Sequence, residues 1–257
     1  MKRITLIITA AVALAFAACG TKNTAEPIST KLLCYNVRNC TGLDGVHEFE
    51  RVAKVITSVN AEAVAIQELD SMTMRYPNED VLGKLAELTG MHPTFAPSID
   101  YKGGKYGIGM LTKQKPLSFR RVPLPCRSEP RSLLIVELED YYYCCTHLSL
   151  HEEDRVTSVG IIVDELSKLD KPALIAGDFN ATRDNESMQL MAKHFQIFTK
   201  TDGEGFTFRA DKPFTEIDYI CLFTDNGAKA EVKSHTVINA PVESDHRPIE
   251  ADIVITK

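Results

Sequence analysis

Five short stretches at the ends of apolar runs carry the side chains that could do chemistry: Asn36, Gln67-Glu68, Thr146-His147, Gly177-Asp178-Phe179-Asn180 and Ser244-Asp245-His246. Their residue types suit one kind of reaction. Oxygen ligands can hold a hard divalent cation, a carboxylate can take a proton from water, and imidazoles can stabilise charge that builds on phosphoryl oxygens. Together they point to hydrolysis of a phosphate ester. Singly, each has a plainer reading: Asn36 and Asn180 as turn or capping residues, Gly177-Asp178 as a turn pair, Glu68 beside Asp70 as a solvated strand end, and His147 as a satisfied core histidine.

The elements that must position these groups are short strands interleaved with a few helices. Apolar, β-prone runs predict strands over 31–36, 63–67, 107–112, 132–138, 141–148, 173–176, 217–223, 231–237 and 249–255. Helical spacing joins Phe49, Val52, Ala53 and Ile56 in one helix and Val81, Leu82, Leu85 and Leu88 in a second. A third is predicted over about 153–169, with Val156, Val159, Ile162, Val163 and Leu166 on one face. The pattern predicts an α/β sandwich, sheets packed on each other and covered by helices. Nearly every polar group singled out falls at a strand end, where the apolar part of the strand fixes the backbone while the tip stays accessible.

The first residues read as an address. Lys2-Arg3 precede an apolar stretch over 4–17, too short to span a bilayer comfortably, and Ala17-Ala18-Cys19-Gly20 follows. A small-residue pair before cysteine resembles a bacterial lipobox, which implies a signal peptide over 1–18, lipidation of Cys19 and a flexible tether over 19–29. An ordinary signal peptide cleaved near a cysteine is the alternative. Residues 30–257 then form one domain, with no Gly/Ser/Pro-rich linker interrupting them. The expected location is the cell envelope, lipid-anchored and periplasm-facing, with the protein a monomer. The formal charge of −6 shows no basic field that would advertise a nucleic-acid surface. Of the seven cysteines, Cys34, Cys144 and Cys221 lie inside strand-like runs and read as small buried hydrophobes, whereas Cys40 and Cys126 lie in predicted loops and could pair. No closely spaced Cys/His set suggests zinc.

Five motifs taken in order resemble the endonuclease/exonuclease/phosphatase superfamily over about residues 31–256: Leu33-Cys34-Tyr35-Asn36-Val37-Arg38, Ala65-Ile66-Gln67-Glu68-Leu69, Gly177-Asp178-Phe179-Asn180-Ala181, Ile217-Asp218-Tyr219-Ile220 and Ser244-Asp245-His246-Arg247-Pro248-Ile249. The superfamily includes pancreatic-type deoxyribonucleases, apurinic-site endonucleases, neutral sphingomyelinases and inositol-polyphosphate 5-phosphatases. The resemblance implies a four-layer α/β sandwich, two mixed β-sheets flanked by helices. It implies Mg²⁺, with Mn²⁺ as the alternative, held by Glu68 with Asn36 and Asp245. Asp178 would activate the attacking water and Asn180 would position the phosphate or the nucleophile. His246 and His147 would donate to the non-bridging oxygens, with Asp218 holding His246. Arg131 and Tyr106 are the implied substrate contacts, and Arg38, which departs from the apurinic-site pattern, is expected to meet an anionic substrate group.

Two departures narrow the resemblance. Apurinic-site endonucleases carry a carboxylate where this chain has Arg38, and tryptophans near the site where this chain has none. The expected substrate is therefore a phosphate ester outside the cytoplasm: nucleic acid, a phospholipid headgroup or a soluble organophosphate. A ligand-binding lipoprotein that has lost the chemistry is the alternative from another class.

Overall fold

Along β1 (Ile28–Asn36) successive side chains point to opposite faces, so that Leu32 and Cys34 enter one apolar layer while Leu33 and Tyr35 enter another. This double burial accounts for the unbroken apolar runs of the central strands. The computed structural model describes residues 26–200 and 205–257. The leader, Cys19 and residues 19–25 of the tether lie outside the described residues, as do residues 201–204.

After β1 come a 3-10 turn (Arg38–Cys40), α1 (Phe49–Val59), β2 (Ala63–Ser71), α2 (Val81–Thr89), β3 (His92–Tyr101), β4 (Gly104–Thr112) and β5 (Ser118–Leu124). The second half runs β6 (Arg131–Glu137), β7 (Tyr142–His147), α3 (Glu152–Leu166), β8 (Ala173–Asp178), α4 (Glu186–His194), β9 (Phe195–Ile197), β10 (Asp218–Phe223), β11 (Lys229–Val237) and β12 (Ile249–Thr256). One six-stranded sheet has the order β11-β12-β1-β2-β4-β3 and the other β5-β6-β7-β8-β10-β9. Each is mixed, because β1 with β2 and β7 with β8 are parallel pairs among antiparallel neighbours.

Three apolar layers separate four layers of structure. Cys34, Ala65, Met110, Val136, Cys145 and Ile253 belong to the layer between the sheets. Val52, Ile56, Leu82 and Leu85 of α1 and α2 cover the first sheet, and Val159, Ile162, Met188 and Met191 of α3 and α4 cover the second. Each large aliphatic side chain contributes roughly 1.5–3 kcal/mol on leaving water. These layers, rather than the polar strand ends, hold the tips in place. The Tyr143 hydroxyl donates to the Leu33 carbonyl at 2.9 Å and pins one sheet to the other.

The strands missing from the sequence reading, β3, β5 and β9, lie at sheet edges. β3 carries Pro93 and Pro97, β5 is largely exposed, and β9 has three residues, so none shows the apolar run of a central strand. The third helix stops at Leu166, short of the expected 169. Cys34, Cys144 and Cys221 are buried as expected. Cys40 is buried, Cys126 is half-buried, and both are free thiols.

His235 on β11 is fully buried, with Nδ1 2.6 Å from the Glu250 carbonyl. Burial, reinforced by the Lys200 charge, pushes its pKa down to about 4. The folded imidazole therefore stays neutral while the unfolded chain takes up a proton below about pH 6.5. Stability should fall as pH drops from 6.5 toward 4, by up to about 1.4 kcal/mol per pH unit from this residue. Urea unfolding across that range should show a shallower loss for His235→Asn than for the wild type; equal slopes would remove His235 from the account.

Candidate active site

The two parallel strand pairs bring the motifs to one end of the sandwich. In the first sheet, Asn36 at the tip of β1 lies beside Gln67 of β2. The next residue, Glu68, falls where the pairing of β2 with β4 shifts between Ile66 and Leu69, and it adopts φ 61°. This bulge takes Glu68 out of the strand alternation. In the second sheet β8 aligns Asp178 with His147 on one side and Asp218 on the other. Gly177 permits this approach, because a Cβ there would lie 2.1 Å from the Thr146 carbonyl oxygen. It sits at a strand end, not in the turn its sequence suggests. The loop before β12 supplies Asp245 and His246, and the Ser244 hydroxyl ties it to the Asn36 carbonyl at 2.7 Å.

Asp178 is the hub. Asn36 Nδ2 donates to Asp178 Oδ2 and to Glu68 Oε1, both at 3.1 Å. The acceptor-only carboxylates on one side, and the Arg38 amide donating to Asn36 Oδ1 at 3.1 Å on the other, set the direction of the side-chain amide. Asn36 thus bridges Glu68 to Asp178 through its NH₂. The Nε2 atoms of His147 and His246 each lie 3.5 Å from Asp178 Oδ2, and the Asn180 amide donates to Asp178 Oδ1 at 2.9 Å. His246 Nδ1 is 2.9 Å from Asp218 Oδ2. Asn180 donates through Nδ2 to the Leu148 carbonyl at 3.1 Å and so braces the end of β7.

The two imidazoles differ in charge. Burial opposes protonation of His246, but Asp218 and then Asp178 overcome it and push its pKa up to about 10. His147 is driven well below the ordinary value by burial and by the charges of Arg131 and His246. Burial, with Asp218 adding to it, pushes Asp178 up to about 7 against the pull of His246. The proton between these groups rests on His246, which is flanked by two carboxylates. The arrangement holds one cationic and one neutral imidazole against a single buried carboxylate, near the protonation balance a general base needs.

Glu68 and Asp245 supply oxygen donors at the rim. Burial raises the Glu68 pKa against the Asn36 hydrogen bond, and the Asp245 charge raises it further. Two carboxylates set against each other in this way fit a hard divalent cation, which would relieve the repulsion. Asp178, Asp218 and His246 also bring ligand atoms within 4.8 Å of one another. A protonated imidazole sharing its Nδ1 proton with Asp218 is not a free ligand, so this second set reads as a proton network.

Of the implied substrate contacts, Arg131 is buried and paired with Glu129, and its charge reaches both Glu68 and His147. Tyr106 pairs with Asp70 across β2 and β4 and lies near enough to Glu68 for that charge to raise its pKa after burial. Arg38 Nε lies 3.6 Å from Asp245 Oδ2. Sequence reasoning missed Thr207, whose hydroxyl accepts from the Asp218 amide at 3.3 Å. It also missed Lys200, which donates to the Asp218 carbonyl at 3.2 Å. Neither contact with Asp218 is announced by residue type. Phe208, next to Thr207, packs its ring 5.0 Å from that of His246.

The fold and these motifs have known counterparts. A crystal structure of an endonuclease/exonuclease/phosphatase from Beutenbergia cavernae superposes with a TM-score of 0.72 at 20% identity, covering 88% of this chain and 71% of that one. One from Bacteroides vulgatus gives 0.72 at 18%, covering 88% and 98%. A mannosyl-6-phosphatase of Bacteroides thetaiotaomicron gives 0.70 at 16%, covering 88% and 99%. At such identities the likeness is one of fold. No curated protein sequence matches the chain. The sequence pattern of the Endonuclease/Exonuclease/phosphatase family, however, matches residues 33–246, most of the chain, from the first motif to His246 of the last, and the protein belongs to that family.

Proposed function

We propose that the chain is a divalent-metal-dependent hydrolase of phosphate esters, with Mg²⁺ as the working cation and Mn²⁺ as its substitute. The observation that carries this reading is Asp178, a buried carboxylate bridged by Asn36 to Glu68 and faced at 3.5 Å by two imidazoles. Glu68 and Asp245 would hold the cation, which supplies Lewis acidity to the phosphoryl group when bound. Asp178 orients water and takes its proton, aided by the Asn180 amide that fixes its other oxygen. His246, charged and steadied by Asp218, donates to a phosphoryl oxygen as charge builds there, and neutral His147 adds a second donor. The P–O bond to the leaving group breaks as the bond from water forms, with no covalent enzyme intermediate. All groups of this set are present, which disfavours a binding-only scaffold.

Lipidation at Cys19 and placement in the cell envelope, facing the periplasm, belong to the same proposal. β1 runs from the tether side at Ile28 to the site at Asn36, and nine residues of strand cover about 30 Å. The nine Cα–Cα steps from Cys19 to Ile28 span at most about 30 Å. An anchor of that reach lets the mouth face either its own bilayer or the medium, so lipidation is compatible with a soluble ester and with a headgroup. One similar fold is that of a mannosyl-6-phosphatase, consistent with a soluble substrate.

The test is hydrolysis by residues 21–257, with Mg²⁺ or Mn²⁺, of p-nitrophenyl phosphate, bis-p-nitrophenyl phosphate, plasmid DNA, sphingomyelin and sugar and inositol phosphates, with His246→Ala run in parallel. Metal-dependent turnover of at least one ester, lost in the variant, is expected. Turnover unchanged in His246→Ala, or none on any ester while the metal binds, would overturn the proposal.

A further inference from the structure

The geometry points to Arg38 as the residue that selects a phosphate monoester, through the third non-bridging oxygen that a diester lacks; this rests on the proposed phosphate-ester chemistry of the same site. Arg38, Asn39 and Cys40 adopt φ values of 46°, 55° and 56°, three consecutive non-glycine residues in the left-handed region. Such a conformation costs roughly 1–2 kcal/mol per residue and persists only where the surroundings enforce it.

Here they do. Asn39 is buried, its Nδ2 donates to Asp70 Oδ2 at 3.3 Å, and its Oδ1 accepts the Asp70 amide at 2.9 Å. Asp70, itself buried, is gripped by the Arg75 fork at 2.8 and 2.7 Å and by the Thr73 hydroxyl at 2.8 Å. A few residues on, Gly42 lies so close to the Val242 carbonyl that a Cβ would sit 2.5 Å from it, and the Leu43 amide donates to the same oxygen at 2.8 Å. The loop after β1 is thereby docked on the loop that carries Asp245 and His246.

The outcome of this construction is the place of one guanidinium. Arg38 Nη1 donates to the Gly42 carbonyl at 3.3 Å and Nε stands 3.6 Å from Asp245, while the side chain keeps 42% exposure. An arginine fork carries five N–H donors, so most of its capacity is unspent. Its carboxylate neighbour is also a proposed cation ligand. With Asp245 holding a cation, Arg38 would be free to meet an arriving anion, and a planar fork suits phosphoryl oxygens. Three charge-bearing groups then face the phosphate: the Glu68–Asp245 edge, the imidazole pair, and Arg38. A monoester has three non-bridging oxygens to match them. A diester has two, and the third direction carries an ester group with no charge for Arg38 to meet.

Arg38→Ala and wild type are compared on p-nitrophenyl phosphate and bis-p-nitrophenyl phosphate, and by calorimetry with inorganic phosphate and with dimethyl phosphate in saturating Mg²⁺. The wild type should prefer the monoester. The variant should lose about 10- to 100-fold in monoester kcat/KM and in inorganic phosphate affinity, the scale of charge-assisted hydrogen bonds. Diester kcat/KM and dimethyl phosphate binding should change by less than about 3-fold, and Arg38→Lys should fall between. A wild-type preference for the diester, or equal losses on both esters, would overturn the selection role while leaving the hydrolase proposal standing. If neither aryl ester is turned over, the two binding measurements decide alone, and unchanged phosphate affinity in Arg38→Ala rejects Arg38 as an oxyanion contact.

Discussion

Asp178→Asn is expected to lower kcat for phosphate-ester hydrolysis by about 10²- to 10⁴-fold, the range for loss of a positioned general base. The substitution nearly preserves shape but removes the buried carboxylate that both imidazoles face at 3.5 Å. An amide cannot take the proton from water. The fold should survive, because the residue contributes nothing to the apolar layers and its burial is unfavourable to the charged form. His246 keeps its 2.9 Å contact with Asp218. Steady-state rates read with thermal melting check both halves: a melting temperature within a few degrees of wild type, with the rate collapsed. A rate near wild type would remove Asp178 from the chemistry.

Glu68→Gln should weaken Mn²⁺ binding by more than about 100-fold, since even residues that merely orient a ligand cost 10- to 100-fold. The variant retains an oxygen for Asn36 but loses the charge with which the Glu68–Asp245 edge would hold a cation. It also loses the repulsion that raises the Glu68 pKa. The metal-free variant should therefore melt no lower than metal-free wild type, while the rise in melting temperature that Mn²⁺ gives the wild type should vanish. Electron paramagnetic resonance titration of Mn²⁺ reads the affinity directly. An undiminished Mn²⁺ affinity would move the cation elsewhere, with the Asp178, Asp218 and His246 group as the remaining oxygen–nitrogen set.

Much of this site is legible in the sequence because the central strands are buried on both faces. A polar residue that ends such a run stands out, and Asn36, His147 and Asp178 each end a strand, while Glu68 follows the apolar run Ala63–Ile66 at a bulge within β2. Family order then placed Asp218 and Asp245-His246 beside them. Edge strands escape the same reading, since β3 and β5 are half-solvated and broken by proline. The direction of the Asn36 amide is also beyond a sequence, for it depends on carboxylates 32 and 142 residues away. So is the left-handed turn at Arg38, which has no glycine to announce it and exists because Asn39 finds Asp70 across the loop. Lys200 and Thr207 act on Asp218 through its backbone, a role that leaves no mark in residue type.

The central claim is that water held by Asp178 attacks phosphorus directly. A single turnover with enzyme in excess over p-nitrophenyl phosphate, in H₂¹⁸O with Mg²⁺, tests it. The account predicts one ¹⁸O in the released inorganic phosphate and none in p-nitrophenol, with no phosphorylated protein at intermediate times. Label in the phenol, or a phosphoryl-enzyme intermediate on the path to product, would contradict it.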